Sequence, residues 1–315
     1  MKIAVVGIGG EGGFFGAVLA NAGNDVTLIA RGQTLDALRT NGLFVKSNSL
    51  GDIKLSVKAT DRPAEVDPVD LIMFCVKTYD LDSAAQQMSP LISEGTVIIP
   101  VQNGVEAADR IGNIVGLEHV LGGVSWVNAR VEKPGVIIHG GSTRLIFGEL
   151  AGGVTRRTEE ISKVLKEANI AAELHPDIRH ALWEKLVSNS AFNGVFSLIR
   201  LPAGPVRDCP DSMQLLRDTM KENVMVAKAC GVAIPERFVD DSMKMLEGYA
   251  SWARPSMQVD LMAGHRLELD AMIGTIVRLG REKGVETPIN STIYRALLPH
   301  LNGAPPNPTP PEDRM

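Results

Sequence analysis

The chain has 315 residues, 44% hydrophobic and 22% charged, with 32 Lys and Arg against 37 Asp and Glu for a net charge of −5. That length exceeds what one small core organises, so two domains are expected, and the composition excludes a disordered chain or a coiled coil. The acidic balance argues against a broad nucleic-acid footprint, and three cysteines without CxxC spacing (Cys75, Cys209, Cys230) argue against a disulfide framework or a structural zinc site.

The first element is a strand at residues 2–6, followed by Gly7, Gly9 and Gly12 in the pattern G-x-G-x-x-G, with Gly10 and Glu11 inside the loop and Gly13 and Gly16 beyond it. These glycines interrupt the N-terminal apolar run too early for a secretory leader. The pattern opens a βαβ unit, so each glycine has a predicted task. Gly7 permits the tight turn, Gly9 lets the backbone approach a pyrophosphate, and Gly12 lets the helix pack on the strand. The helix N-terminus then offers N–H groups and partial positive charge to phosphates. Glu11 is the oddity, because it brings negative charge to that place.

A second strand spans 25–30 and ends at Arg31, where NAD-selective proteins carry an acid for the ribose 2′-hydroxyl. Asp25 lies at the wrong end. Arg31 cannot accept from a hydroxyl, but its planar fork can pair with a 2′-phosphate, so NADPH is expected over NADH; the alternative is a solvated loop cation. Apolar runs at 70–76, 96–102 and 119–127 read as further strands of a parallel sheet. Lys77 and Asn103 follow the first two of these, at the edge where open α/β sheets place ligands. An ordinary post-strand turn residue is the alternative for either, and for Asn103-Gly104 it is a serious one, because Asn-Gly is a strong turn pair. Runs at 135–141 and 143–149 resemble an added hairpin, and 155–169 reads as an amphipathic helix.

Near Pro176 the texture changes to long helical patterns punctuated by Pro202, Pro210, Pro235 and Pro255. The division expected is a Rossmann-type α/β domain over 1–176, a helical domain over 177–302 and a Pro-rich, disordered tail over 303–315. No window reaches about 18 unbroken apolar residues, and a cytoplasmic protein without membrane contact is expected. In the helical half, Lys185, Asn189 and Asn193 are spaced i, i+4, i+8 and share one helix face. Leu182, Leu186, Ala191, Phe192 and Val195 make that segment too apolar for a solvated face. Further on, Ser256-Met257 is followed twelve residues later by Glu268. His175 and His180 read as surface or boundary residues, and no metal site is expected among the six histidines.

Together, the glycine loop, Arg31, Val-Lys at Lys77, Gln-Asn-Gly at Asn103, Lys-Leu-x-x-Asn-x-x-x-Asn at Lys185 and the Ser256 to Glu268 spacing resemble the ketopantoate reductase (2-dehydropantoate 2-reductase) family over nearly the whole chain. The resemblance implies a cleft between a Rossmann domain and a helical domain, in which NADPH reduces the 2-keto group of 2-dehydropantoate to (R)-pantoate on the route to pantothenate and coenzyme A. It implies that Lys185 is the general acid and that Asn103, Asn189, Asn193 and Ser256 bind substrate. Gly7, Gly9, Gly10, Glu11, Gly12, Arg31, Lys77, Asn103 and Glu268 then serve the cofactor, with Lys77 near the nicotinamide end. Glu11, and Arg254-Pro255 before Ser256, depart from the family pattern and leave room for a reductase of another 2-keto acid. A non-catalytic NADPH sensor is a further alternative, but the crowding of Lys185, Asn189, Asn193, Ser256 and Glu268 argues against it. The long helical half is compatible with a homodimer.

Overall fold

The computed structural model describes residues 1–305. Gly303 and Ala304, the start of the tail expected to be disordered, donate backbone hydrogen bonds to His300 and Gly264; residues 306–315 lie outside the described residues. The chain divides into two compact units, Met1–Leu182 and Trp183 onward.

The first unit runs β1 (Lys2–Val6), α1 (Gly10–Asn21), β2 (Asp25–Ile29), α2 (Gly32–Asn41), β3 (Leu43–Ser47), β4 (Ile53–Leu55), β5 (Lys58–Thr60), β6 (Leu71–Phe74), α3 (Leu81–Gln87), β7 (Val97–Pro100) and α4 (Ala107–Val115). It continues with β8 (Leu121–Ser125), β9 (Ala129–Lys133), β10 (Val136–His139), β11 (Arg144–Glu149), α5 (Arg156–Glu167), β12 (Ala171–Leu174) and the start of α6 (Ile178–Ile199). Five strands form a parallel sheet in the order β5-β2-β1-β6-β7. Successive side chains of a strand face opposite ways, and here the two sides feed two cores. Ile3, Val5, Leu71 and Met73 join Phe14 and Phe15 in one, while Ala4, Val6, Ile72 and Phe74 join Leu81 and Ile111 in the other. Burial on both faces is why β6 and β7 are unbroken apolar runs.

Two expectations are corrected. The runs at 135–141 and 143–149 do not form a hairpin. β10 pairs with β3 in parallel and β9 antiparallel, whereas β11 pairs with β8 antiparallel and β12 in parallel. Both edges of each strand are thus taken by other partners, and the connection through Gly141, at φ 119°, passes between sheets. For the same reason β8 is not a regular strand of the parallel sheet; a single parallel bridge, Ile98 to Val120, links its approach to β7.

The helix expected over 155–169 is α5. Thr155 caps it in a reciprocal capping box with Thr158, and Asn169 follows in the left-handed region at φ 58°. Buried Glu149 of β11 anchors this cap: it accepts from the Thr155 hydroxyl at 2.6 Å and from Arg157 Nε at 2.8 Å and Nη2 at 2.5 Å. The Arg157 guanidinium, aided by Thr155, holds the Glu149 carboxyl below its ordinary range against the opposing effect of burial. A depressed folded-state value stabilises above the unfolded carboxyl's pKa of about 4.3 and is lost as pH falls through the folded one. Acid titration followed by near-UV circular dichroism is therefore expected to show the first unit loosening below about pH 4, and Glu149→Gln to weaken that dependence.

In the second unit all the described regular structure is helical: the rest of α6, α7 (Ala203–Arg207), α8 (Pro210–Ala229), α9 (Phe238–Glu247), α10 (Ser256–Met262), a π-helical turn (Asp270–Gly274), α11 (Thr275–Lys283) and α12 (Pro288–Leu297). Residues 191–197 of α6 are all buried. A Cβ at Gly194 would lie 3.1 Å from Ile293 and 3.2 Å from Ile273, so α12 and the π turn approach α6 closely there. No helix among the described residues is long and apolar enough to cross a membrane.

Candidate active site

The strand register puts Ile29, Val6, Phe74 and Pro100 in one row across β2, β1, β6 and β7. Just past that row, at the C-terminal ends of four adjacent parallel strands, come Arg31, the Gly7 turn, Lys77 and Asn103. β1 leads to β2 on one side and has β6 on the other, so the chain reverses its winding here, where open α/β sheets bind ligands.

The three fingerprint glycines have distinct environments. Gly7 has φ 90°, and its N–H donates to Ile29 O at 3.2 Å. A Cβ on Gly12 would lie 2.0 Å from Gly7 O, so any side chain would push α1 off β1. A Cβ on Gly9 would meet open space, so nothing in the protein requires a glycine at that position. The residue there leaves backbone exposed at the N-terminus of α1, where Gly9 supplies no side-chain cap, which fits a dinucleotide pyrophosphate. Gly10 is needed for another reason, since a Cβ would lie 2.2 Å from Ala129 O of β9. Glu11 is half-buried in the first turn, and its charge, after burial, raises the Cys75 thiol well above its ordinary range.

Arg31 directs Nη2 to Asp80 Oδ2 at 2.7 Å, and its side chain is 79% exposed. Lys77 and Asn103 are half-buried. Their loops are tied together by Gln102, whose Nε2 donates to Phe74 O at 2.8 Å and Val76 O at 3.0 Å. Gly104 at φ 97° shows that Asn-Gly does make a turn here. Sequence reasoning missed Gln102, although its signal was present: Ile98, Pro100 and Gln102 share one strand face, and a polar residue there must find hydrogen bonds. It also missed Asp80, for which no local signal exists.

In the second unit, Lys185 and Asn189 are half-buried and Asn193 fully buried on α6. Asn193 Nδ2 donates to Asn189 O at 2.9 Å and Oδ1 at 2.8 Å, while its Oδ1 accepts from Met257 N at 2.8 Å. It therefore orients the Asn189 amide and caps the first turn of α10, which begins at exposed Ser256. Asn189 Nδ2 also reaches Met272 Sδ of the π turn at 3.6 Å. Glu268, buried, lies just before that turn. At its start Tyr294 donates to Asp270 Oδ1 at 2.8 Å, and burial together with that carboxylate pushes the phenol up to about 12. No group of three or more metal-ligating side chains occurs among the described residues, and His175 stacks on His180 with ring centroids 6.4 Å apart.

A Rossmann sheet with a dinucleotide turn at its switch point, followed in the chain by a helical unit, defines an oxidoreductase of the NAD(P) type. Comparison with known proteins names the family. Residues 3–152 match the family described as "Ketopantoate reductase PanE/ApbA" and residues 177–300 its C-terminal part, and the chain belongs to that family. It is 30% identical to a 2-dehydropantoate 2-reductase of Pyrococcus abyssi, covering 93% of this chain and 96% of the relative. The crystal structure of 2-dehydropantoate 2-reductase from Geobacter metallireducens superimposes with a TM-score of 0.90 at 32% identity, covering 95% of this chain and 99% of that one. A complex of D-mandelate dehydrogenase with NADH gives a TM-score of 0.83 at 25% identity, covering 94% and 97%.

Proposed function

We propose that the protein reduces 2-dehydropantoate to (R)-pantoate with NADPH, using residues 1–176 as the cofactor-binding domain and 177–302 as the substrate and catalytic domain. The observation that carries the reading is the hydrogen-bonded row on α6: Asn193, two helical turns from Lys185, holds Asn189, one turn from it, and the start of α10 at fixed positions. Such a row has little use in a sensor and a clear one in ketone reduction.

Gly7, Gly9, Gly10 and Gly12 with the α1 N-terminus hold the pyrophosphate, Arg31 the 2′-phosphate, and Lys77 and Asn103 the nicotinamide end, with Glu268 helping to organise the site. Glu11 borders the phosphates without contributing attraction. When bound, the cofactor supplies a hydride to the keto carbon. Negative charge then develops on the former carbonyl oxygen, where the Lys185 ammonium stabilises it and delivers the proton. Asn103, Asn189 and Ser256 bind the hydroxy-keto acid with neutral donors and acceptors. Asn193, the remaining candidate for substrate binding, donates its amide to Asn189, and in this reading it also serves by fixing the others. The reading includes a homodimer, supported by large apolar side chains exposed on the second unit, Trp252 at 80% and Met262 at 57%.

A second reading, reduction of a different 2-keto acid, is favoured by the likeness to D-mandelate dehydrogenase and by Arg254 before Ser256. NADPH oxidation across a panel of 2-keto acids separates the two. We expect kcat/KM for 2-dehydropantoate to exceed that for simple 2-keto acids by at least about tenfold, the effect of one hydrogen bond worth about 1.4 kcal/mol; the reverse order would assign the second reading.

A further inference from the structure

The acid that NAD-selective proteins place after their second strand is missing from β2, yet a carboxylate from the loop after β6 reaches the guanidinium of the residue that stands there. β2 and β6 are the two neighbours of β1. Arg31 leaves the end of β2, and Asp80 ends the short 3-10 turn, Thr78–Asp80, that follows β6. Their ion pair, 2.7 Å long, therefore joins the segments that follow the two neighbours of β1. Asp80 is the more fixed partner. Its N–H donates to Lys77 O at 2.9 Å, its carbonyl accepts from Ser83 Oγ at 3.0 Å, and its side chain is 30% exposed against 79% for Arg31.

We infer that Asp80 is a specificity-determining residue for the cofactor's adenosine ribose: it restrains the preference for a 2′-phosphate and lets the site also accept a 2′-hydroxyl. A 2′-phosphate brings close to two negative charges. To reach the Arg31 fork it must displace or sit beside the Asp80 carboxylate, which competes for the same cation. A ribose 2′-hydroxyl instead donates to a carboxylate, the usual device of NAD sites. One residue thus opposes NADPH and favours NADH, while Arg31 does the reverse.

This inference rests on the reading of Arg31 as the 2′-phosphate ligand, and the two are tested separately by binding. Dissociation constants of NADPH, NADH and 2′,5′-ADP are measured by calorimetry for the parent protein, Arg31→Ala and Asp80→Asn. Asp80→Asn keeps the side chain's shape and removes its charge. We expect it to bind NADPH and 2′,5′-ADP about tenfold more tightly, the effect of removing one unit charge beside a phosphate at an exposed site, and to bind NADH several-fold more weakly. If Asp80 merely held Arg31 in place, NADPH would weaken instead, and that result, or an unchanged ratio of the two constants, overturns the inference. Arg31→Ala weakening NADPH and NADH equally would overturn the phosphate reading itself.

Discussion

Lys185→Ala is expected to lower kcat by two to four orders of magnitude, the usual worth of one positioned proton donor, while the dissociation constant for NADPH stays within about twofold of the parent's. The asymmetry follows from where the residues lie. The glycine turn, Arg31, Lys77 and Asn103 belong to the first unit, and Lys185 to the second. Removing one half-buried amine from α6 leaves Leu186, Val187 and Ala191 buried as before, so the helix has no reason to unfold. Lys185→Met, which keeps the aliphatic stem and loses only the charge, should match Ala in kcat and preserve the melting temperature. A lysine that acted only by packing would be rescued by Met. Turnover near the parental value in either variant would remove Lys185 as the acid and with it the reductase mechanism proposed above.

Much of this arrangement is legible in the sequence. The apolar runs of β1, β2, β6 and β7 announce themselves because strands covered on both faces need unbroken hydrophobicity, and the glycine pattern between β1 and α1 fixes where the ligand edge must be. What the sequence concealed has physical reasons. β5, β9 and β12 (Lys58–Thr60, Ala129–Lys133, Ala171–Leu174) lie at sheet edges, are short and bury at most one residue each, and so carry no apolar alternation to read. β10 and β11 each have a strand's composition, but which partner a strand takes is settled by the sheet it joins; Gly140-Gly141 could as well have closed a hairpin as led between sheets. The polar row on α6 was visible as spacing. Its division of labour was not, because whether an asparagine faces ligand or neighbour depends on Met257, 64 residues away. Asp80 meets Arg31 across 49 residues, and nothing local marks either as the other's partner.

The same kind of concealed pairing underlies the largest expected loss of stability. Glu222, buried on α8, accepts from Ile289 N at 2.9 Å with Oε1, and from Asn290 N at 3.0 Å and Asn290 Nδ2 at 2.7 Å with Oε2. Thr287 at the start of α12 makes no side-chain cap, so a residue on α8, four helices earlier in the chain, performs the N-capping of α12 and meets the positive end of its dipole. Replacing Glu222 by Ala deprives three largely buried donors of their acceptor. At about 1–3 kcal/mol for an unsatisfied buried group, the expected destabilisation is about 3 kcal/mol, a fall of roughly 10 °C in the melting temperature of the unit. Glu222→Gln keeps an acceptor but turns an amide NH2 towards N–H groups, and should recover only part of the loss. Because Ile293 of α12 packs at Gly194 of α6, a loosened α12 should also cost turnover through the Lys185 row, while NADPH binding in the first unit holds. Calorimetric melting of both variants, beside NADPH titration, checks this: a melting temperature within 2–3 °C of the parent's, corresponding to less than about 1 kcal/mol, would mean that Thr287 or solvent takes over the cap.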